Sequence, residues 1–185
     1  MNRTMNTGST GTAVVWEGTI KVDPNQLREM SPTIEGWDHT INYETGEIHF
    51  QPLKNLVVDS GIQRSLDKLV GRNGPPGNVI TMGVDDGVSN PVAGTTSSTA
   101  GSTNRRLVNF DATPGRTANV LTMDGTFTQA SVSFIMKRLF LSAAAAGTSD
   151  SAGDLYSMTN VFTIDFTSFS VWSLTFTATV TGIGA

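Results

Sequence analysis

The stretch that decides the fold is FTIDFTSFSVWSLTFTATV, which runs from Phe162 to Val180. Large apolar residues alternate with hydroxyl-bearing or acidic residues over positions 162–167, and the same alternation resumes over positions 172–180. Successive side chains of a β-strand point to opposite faces of the sheet, so this period of two predicts strands with one side on a core. The other side is predicted to be wet or at an interface. The core side of the last strand is predicted to carry Trp172, Leu174, Phe176, Ala178 and Val180.

A second informative stretch, from Lys54 to Gly87, contains the only clear helical pattern of the chain. Apolar residues at 62, 66, 69 and 70 share one helical face, N-cap residues precede them, and glycines and prolines follow them. One amphipathic helix is therefore predicted near 61–71. A period of two then begins with Ile80, Met82 and Val84, which predicts a half-buried strand.

Shorter patterns fill the rest of the chain with strands and turns. Residues 13–22 predict a strand whose core contacts are Val15, Ile20 and Val22, and residues 26–30 predict one helical turn. A hairpin is predicted from Trp37 to Phe50, because alternating residues flank the turn sequence ETGE. The pair Asp124-Gly125 predicts a tight turn or a bulge, and residues 131–142 predict a strand pair or one strand with an irregular end.

Two segments suggest contacts outside the domain. Residues 1–12 are polar and rich in Gly and Thr, which predicts an extended N-terminal arm lying against a neighbouring subunit or folded back on its own domain. Residues 88–103 form a long Gly/Ser/Thr/Pro loop, and such long loops are usually functional or mobile. The interpretation favoured here is a loop that reaches a neighbour.

Composition limits the class of protein. Charged residues make up 15% of the 185 residues, the net charge is −4, there are 19 glycines, and there is no cysteine. No basic stripe suits nucleic acid, no apolar run approaches the roughly 20 residues that cross a bilayer, and disulfides are excluded. These features predict a mainly β protein: an antiparallel, jelly-roll-like β-sandwich over residues 13–185, with the helix and the arm added to it.

No catalytic or metal motif is found in the sequence. The two histidines, His39 and His49, lack the further ligands that a zinc site needs, and His49 is predicted to face solvent. The tripeptide from Asp85 to Gly87 fits a turn that closes a strand better than a calcium loop. We therefore predict no enzyme, no cofactor and no metal. Among the tryptophans, Trp172 is predicted in the core, whereas Trp16 and Trp37 are candidates for a subunit contact.

Several segments in a fixed order resemble a loose group of tailed-phage virion proteins. They are KNLVVDSGIQRSLDKLVGR, then NVITMGVDDGVSNPVAGTTSSTAGS, then RRLVNF, and finally GDLYSMTNVFTIDFTSFSVWSLTFTATV. The resemblance covers about residues 55–180. Members of the group are usually virion structural, tail-fibre, collar or baseplate-associated proteins. This chain departs from the group at Lys137-Arg138-Leu139-Phe140, where an acidic segment is common.

The resemblance implies a non-enzymatic virion component, made in the host cytoplasm, that assembles as symmetric copies and contacts neighbouring virion proteins. A tail, collar or baseplate position and a capsid decoration (cement) role both remain open. The alternative is a receptor- or carbohydrate-binding β-sandwich that uses Trp16, Trp37 and Tyr43, and a hydrolase using His39 or His49 is a third hypothesis. Candidate assembly residues are Trp16, Trp37, Arg105, Arg106, Thr175, Thr177 and Thr179.

Overall fold

The computed structural model describes residues 13–57, 79, 81–98, 101–117, 120–129, 132–147 and 154–181. The predicted arm at 1–12 and the predicted helix near 61–71 lie outside these residues. The described elements, in chain order, are β1 (Ala13–Val22), α1 (Pro24–Glu29), β2 (Thr33–Glu35), β3 (His39–Asn42), β4 (Glu47–Val57), β5 (Thr81–Asp85), β6 (Arg105–Asn109), β7 (Gly115–Thr117), β8 (Val120–Phe127), β9 (Arg138–Ser142), β10 (Leu155–Met158), β11 (Thr163–Asp165) and β12 (Val171–Thr181).

Two antiparallel sheets make up the sandwich. The larger sheet has the order β7-β8-β12-β1-β4, with β3 paired to the free side of β4, and the smaller sheet has the order β6-β5-β9-β10. Strand β4 belongs to both, because seven of its first nine residues pair with β1, and Leu56 and Val57 pair with β10. The path of hydrogen-bonded strands ends at β6 and β7, so the described strands form a mainly β, open sandwich rather than a barrel.

The core lies between the inner faces of the two sheets. Trp16 and Phe176 from the larger sheet are fully buried, as are Met82 and Leu139 from the smaller sheet. A small sheet of β2 and β11 lies beside this core and carries the buried Ile164. Burial of this many large apolar side chains, at about 25 cal/mol per Å², is the main stabilising contribution to the fold.

Several sequence predictions are confirmed. The hairpin from Trp37 to Phe50 is present as β3 and β4, and β12 buries Leu174, Phe176, Ala178 and Val180 on one face. One helical turn is present at α1, although it begins at Pro24 rather than residue 26. Asp23 caps it, because its side chain accepts a hydrogen bond from the Asn25 N–H, and Pro24 suits the first helical position.

In β1, one residue was assigned to the wrong side of the strand: Val15 was predicted to face the core. Val15 is only half-buried, whereas Val14 and Trp16 on either side of it are fully buried. Val15 faces the side of β1 that also carries Glu17, and it pairs across the sheet with Thr179. Ile20 and Val22 are buried as predicted.

The turn or bulge predicted at Asp124-Gly125 is wrong. Both residues lie within β8, and the pairing with β12 continues through them without a register shift. Packing against the opposite sheet leaves little room for a side chain at Gly125, because a Cβ there would lie 3.0 Å from Met82 Sδ. The glycine allows the two sheets to approach closely at this point.

Trp172 was predicted in the core and is instead 59% exposed. The register between β1 and β12 shifts here: Lys21 pairs with Ser173, but Val22 pairs with Val171. Trp172 is therefore the extra residue of a bulge, and a bulge residue leaves the alternation of its strand. The period of two correctly places Leu174 in the core, but it fails at Trp172, directly after the last regular pair of Lys21 with Ser173.

Strand β5 was predicted to be half-buried, but all five of its residues are buried. Its inner residues, Met82 and Val84, face the core, and its outer residues are covered as well. Residues 86–98 and 101–104 supply part of this cover. Within them, the Asp86 carboxylate accepts hydrogen bonds from the Thr103 and Asn104 N–H groups, and Thr96 O accepts one from the Leu155 N–H.

The long loop is therefore tied to its own sandwich along much of its described length. Asn90 Oδ1 also accepts a hydrogen bond from the Val161 N–H at 2.8 Å. Val88 and Val92 remain 72% and 66% exposed, so the loop presents apolar side chains to its surroundings. Its contact with a neighbour stays a prediction.

Candidate functional site

The solvent-facing side of the larger sheet is a broad polar surface, here called the outer face. Its side chains come from alternate residues of β3, β4, β1, β12 and β8. One row of directly paired residues crosses these five strands: Thr40, His49, Thr19, Thr175 and Thr126. Four of the five are threonines, so the row is dominated by short hydroxyl-bearing side chains.

The hydroxyls of this row are linked to one another and to a carboxylate. Thr19 Oγ1 lies 3.1 Å from His49 Nδ1, and Thr126 Oγ1 lies 3.1 Å from Thr175 Oγ1. Thr126 also donates from Oγ1 to Asp111 Oδ2 at 2.7 Å. These contacts hold the side chains in defined positions before any partner arrives.

A second row is acidic. Glu17 pairs with Thr177, and Thr177 pairs with Asp124 on the next strand. The Thr177 hydroxyl donates to Asp124 Oδ1 at 2.6 Å. Glu17 is exposed, and among the described residues its carboxylate makes no ion pair. Two carboxylates therefore flank one threonine on three adjacent strands.

A groove of about 440 Å³ opens beside this acidic row. The pairing of β1 with β4 shifts between Trp16 and Gly18, because β4 carries a bulge opposite Glu17 at Gln51 and Pro52. Pro52 has no N–H to donate, and the Gln51 backbone turns away to bond Asp38 O and the Trp37 indole. The polar groups lining the groove are Glu17, Thr19, His49, Gln51, Thr175 and Thr177.

The positive charges of the outer face lie in other rows. Lys21 donates to Glu47 Oε1 at 3.2 Å, and this hydrogen bond, with the lysine charge, holds the pKa of the Glu47 carboxyl below its ordinary value. Lys54 pairs with Val15, in the row of Thr179. The groove itself is thus lined by the Glu17 carboxylate, by the His49 imidazole, whose Nε2 lies 3.6 Å from Glu47 Oε2, and by hydroxyl and amide groups.

The structure brings together three of the seven predicted assembly residues. Thr175, Thr177 and Thr179 are half-buried neighbours on the outer face. Trp16 and Trp37 are 0% and 4% exposed in the core, so the subunit contact suggested for their rings is wrong. Trp37 packs its ring 4.9 Å from Phe50 and 6.0 Å from Phe176 between ring centroids.

Arg105 and Arg106 are remote from the outer face. They are half-buried residues of β6, the edge strand of the smaller sheet. Of the aromatic residues proposed for sugar binding, only Tyr43 is exposed, at 49%, in the turn between β3 and β4. His49 faces solvent as predicted, and His39 is half-buried.

Sequence analysis missed the acidic residues of the second row and the bulge that opens the groove beside it. Glu17 and Asp124 are single polar residues inside strands, and Gln51 lies at a bulge that no sequence pattern indicates. The available signal was the phase of β1: once Trp16 is placed in the core, Glu17 must face outward beside Thr177. Placing Val15 in the core hid that consequence.

A second polar cluster lies under the long loop, on the side of the smaller sheet that faces away from the core. The Arg138 guanidinium, 1% exposed, binds the Asp85 carboxylate from Nε at 2.8 Å and from Nη2 at 2.9 Å. Arg138 also donates to the carbonyl oxygens of Ser89 and Ser98, which belong to the loop. Burial raises the pKa of Asp85, and the hydrogen bond from Arg138 partly opposes this.

Two further observations bear on the chemistry. No group of three His, Asp or Glu side chains within the described ranges is arranged to hold a metal ion. In the same part of the chain, no helix is long and apolar enough to cross a membrane. Comparisons with family models, with curated proteins and with solved structures gave no match to this chain.

Proposed function

We propose that this chain is a non-enzymatic structural component of a phage virion that packs against copies of itself and neighbouring virion proteins. The observation that carries the proposal is the outer face, a Thr-rich surface that spans five paired strands of a sandwich. The order of segments that resembles virion proteins supports the viral assignment. A tail, collar or baseplate position and a capsid decoration role are both included in the proposal.

The outer face suits protein–protein packing because little freedom is lost when it is covered. Threonine is branched at Cβ and has few side-chain rotamers, so ordering it at an interface costs less free energy than ordering lysine or glutamate. The hydroxyls of Thr126 and Thr177 are already fixed by Asp111 and Asp124. A partner therefore meets a surface whose hydrogen-bonding groups are in place.

The alternative function, a carbohydrate-binding module, loses its main support. It relied on Trp16, Trp37 and Tyr43 as stacking platforms, and the two tryptophans are in the core. Stacking on a sugar requires an exposed aromatic face. Of the three residues named for this function, only Tyr43 remains exposed, in the turn between β3 and β4.

The test is the protein composition of purified particles. Particles from an infected culture would be banded on a density gradient, and each fraction analysed by quantitative mass spectrometry. The expected result is a constant ratio between this chain and the major capsid protein across the particle band. A chain that occurs in the lysate and is absent from the band would contradict the proposal.

A complementation experiment then tests the outer face itself. The Thr177→Lys/Thr179→Lys chain should fold but be depleted from particles at least tenfold, because two ammonium groups must be desolvated at the proposed interface. The matched control is Thr33→Lys, at an exposed residue of β2 away from this face. Equal incorporation of the face variant and the control would show that another surface makes the contact.

A further inference from the structure

The groove on the outer face has an unbalanced charge. In its row, Glu17 and Asp124 flank Thr177, and no lysine or arginine belongs to that row. The only hydrogen bond described for the Asp124 carboxylate comes from the Thr177 hydroxyl, and Glu17 is exposed beside the groove. No lysine or arginine lines the groove: Lys21, two rows away, is paired with Glu47, and Lys54 lies opposite Val15 in the adjacent row. A cationic group from outside the sandwich would complete this site.

The spacing of the acidic row favours a guanidinium. Neighbouring strands lie about 4.8 Å apart, so Glu17 and Asp124 are separated by about 10 Å along the row, with Thr177 between them. Guanidinium presents five N–H donors in one plane and can bind two carboxylates at once, whereas an ammonium is a compact point charge. Gln51 and His49 line the opposite side of the groove and add further hydrogen-bonding groups.

Residues 1–12 of this chain, MNRTMNTGSTGT, have the chemistry that the groove lacks. They contain one cation, Arg3, no acidic residue, and five Ser or Thr residues that can bond to the hydroxyl row. Extended at about 3.3 Å per residue, Arg3 reaches about 30 Å beyond Ala13. The groove volume of about 440 Å³ is within the range typical of ligand sites, about 300–1,000 Å³.

We propose that residues 1–12 of a second copy of this chain bind in the groove, with the Arg3 guanidinium between the Glu17 and Asp124 carboxylates. The direction of β1 favours a second copy over the same chain. The strand runs from Ala13 towards Glu17, so a segment of the same chain that precedes Ala13 could reach the groove only by reversing the direction of β1. This inference rests on the proposed self-assembly and names the segment and the site that perform it.

A charge-reversal cycle tests the pairing. Sedimentation velocity with light scattering would compare wild-type full-length chain, Arg3→Glu, Glu17→Arg and the double variant over a range of concentrations. Each single variant should associate at least tenfold more weakly, which corresponds to about 1.4 kcal/mol, because like charges would meet in the groove. The double variant should recover most of the association, because the pair is restored with its charges exchanged.

The control for a general charge effect is Glu35→Arg, which makes the same change at an exposed residue of β2. It should leave association within twofold of wild type. Thermal unfolding of each variant would confirm that a weaker association does not reflect a lost fold, and Glu17 is exposed enough for the reversal to be tolerated.

Two results would overturn the inference in different ways. If the wild-type chain associates but neither single reversal weakens it, the groove does not receive Arg3, and self-assembly proceeds through another contact. If the wild-type chain is monomeric at every concentration, two claims are wrong: the binding of a second copy's residues 1–12 in the groove, and the self-assembly in the proposed function. Particle composition would then still test whether the chain joins a virion through other proteins.

Discussion

The two sheets of the sandwich carry their polar residues in opposite ways. In β12 of the larger sheet, buried Leu174, Phe176 and Ala178 alternate with half-buried threonines that face outward. In β9 of the smaller sheet all five residues are buried, including Arg138. The larger sheet leaves its polar side in water, whereas the smaller sheet covers its polar side and must satisfy every group there. The comparison teaches that polar residues of the same kind contribute very different amounts to stability in the two sheets.

The largest difference in stability is expected between loss of the buried Arg138–Asp85 ion pair and loss of the exposed Lys21–Glu47 pair. Arg138→Met should lower the free energy of unfolding by about 3–5 kcal/mol, because the buried Asp85 carboxylate loses both guanidinium hydrogen bonds and its compensating charge. Lys21→Met removes the lysine partner of Glu47 on the outer face, where both side chains are a third or more exposed, and should change stability far less, because water screens the pair. Urea denaturation followed by circular dichroism measures both.

A second variant strengthens this test. Asp85→Leu added to Arg138→Met removes the orphaned carboxylate and should recover part of the loss. Equal losses for Arg138→Met and Lys21→Met would show that the loop does not shield the Arg138–Asp85 pair from water.

The next contrast concerns glycines, one in each sheet. A Cβ at Gly83 of β5 would overlap the Phe140 ring, whereas a Cβ at Gly115 of β7 would meet nothing within 4 Å. Gly83→Ala should therefore lower the free energy of unfolding by about 1–3 kcal/mol, because the added methyl group overpacks the site. Gly115→Ala should change it by less than about 0.5 kcal/mol.

Thermal unfolding of both glycine variants gives the comparison. The combination of Gly83→Ala with Phe140→Leu should be less destabilised than the sum of the two single changes, because leucine leaves room for the new methyl group. Additive losses would mean that Phe140 is not the obstacle and that the buried side of the smaller sheet is less tightly packed than described.

The smallest expected effect is a pH dependence of stability that comes from Asp86, whose carboxylate holds the end of the long loop. Burial alone would raise the pKa of Asp86, but hydrogen bonds from Asn104 and Thr103 hold it below the ordinary value of 3.8. The folded chain then binds this proton less readily than the unfolded chain. The stability contributed by Asp86 is therefore fully present above pH 4 and is lost as the pH falls through the lowered pKa.

Asp86→Asn should consequently be about 0.5–1 kcal/mol less stable than wild type at pH 7, and the difference should shrink towards pH 2. Urea denaturation at several pH values measures it. Asn104→Ala removes only the side-chain donor and should give a smaller change of the same sign. A difference between Asp86→Asn and wild type that does not vary with pH would contradict the proposed role of the charge.

The larger sheet was largely predictable from sequence because its strands follow one simple rule. Alternation correctly placed Leu174 and Phe176 inside and Thr175 and Thr177 outside, and turn residues located the hairpin of β3 and β4. The alternation of β12 failed where the backbone register shifts, whereas the errors at Val15 and at Asp124-Gly125 were misreadings of regular strands. Trp172 leaves the alternation at a bulge, and a bulge depends on how two distant strands pair rather than on the local sequence.

The smaller sheet was less predictable because its polar residues are satisfied over long sequence distances. Asp85 and Arg138 are 53 residues apart, and nothing in either segment identifies the other as its partner. The alternation of Ile80, Met82 and Val84 with smaller residues predicted a half-buried β5, and nothing in the local sequence indicated that the long loop covers its other side. The candidate site shows the same limit: its threonines could be predicted, but the groove depends on the bulge at Pro52, which becomes evident only when β1 and β4 are paired.

The position of β12 also sets when the protein can fold during synthesis. This strand is the last described in the chain, yet it lies between β1 and β8 in the larger sheet, and it pairs with both over most of its length. Until residues 171–181 leave the ribosome, β1 and β8 each keep an unpaired edge that could join another nascent chain. The sheet therefore closes after translation of residue 181, and the pairing of β12 with β1, about 160 residues earlier in the sequence, slows folding. Prematurely terminated chains would lack the central strand and are expected to aggregate rather than persist as partial domains.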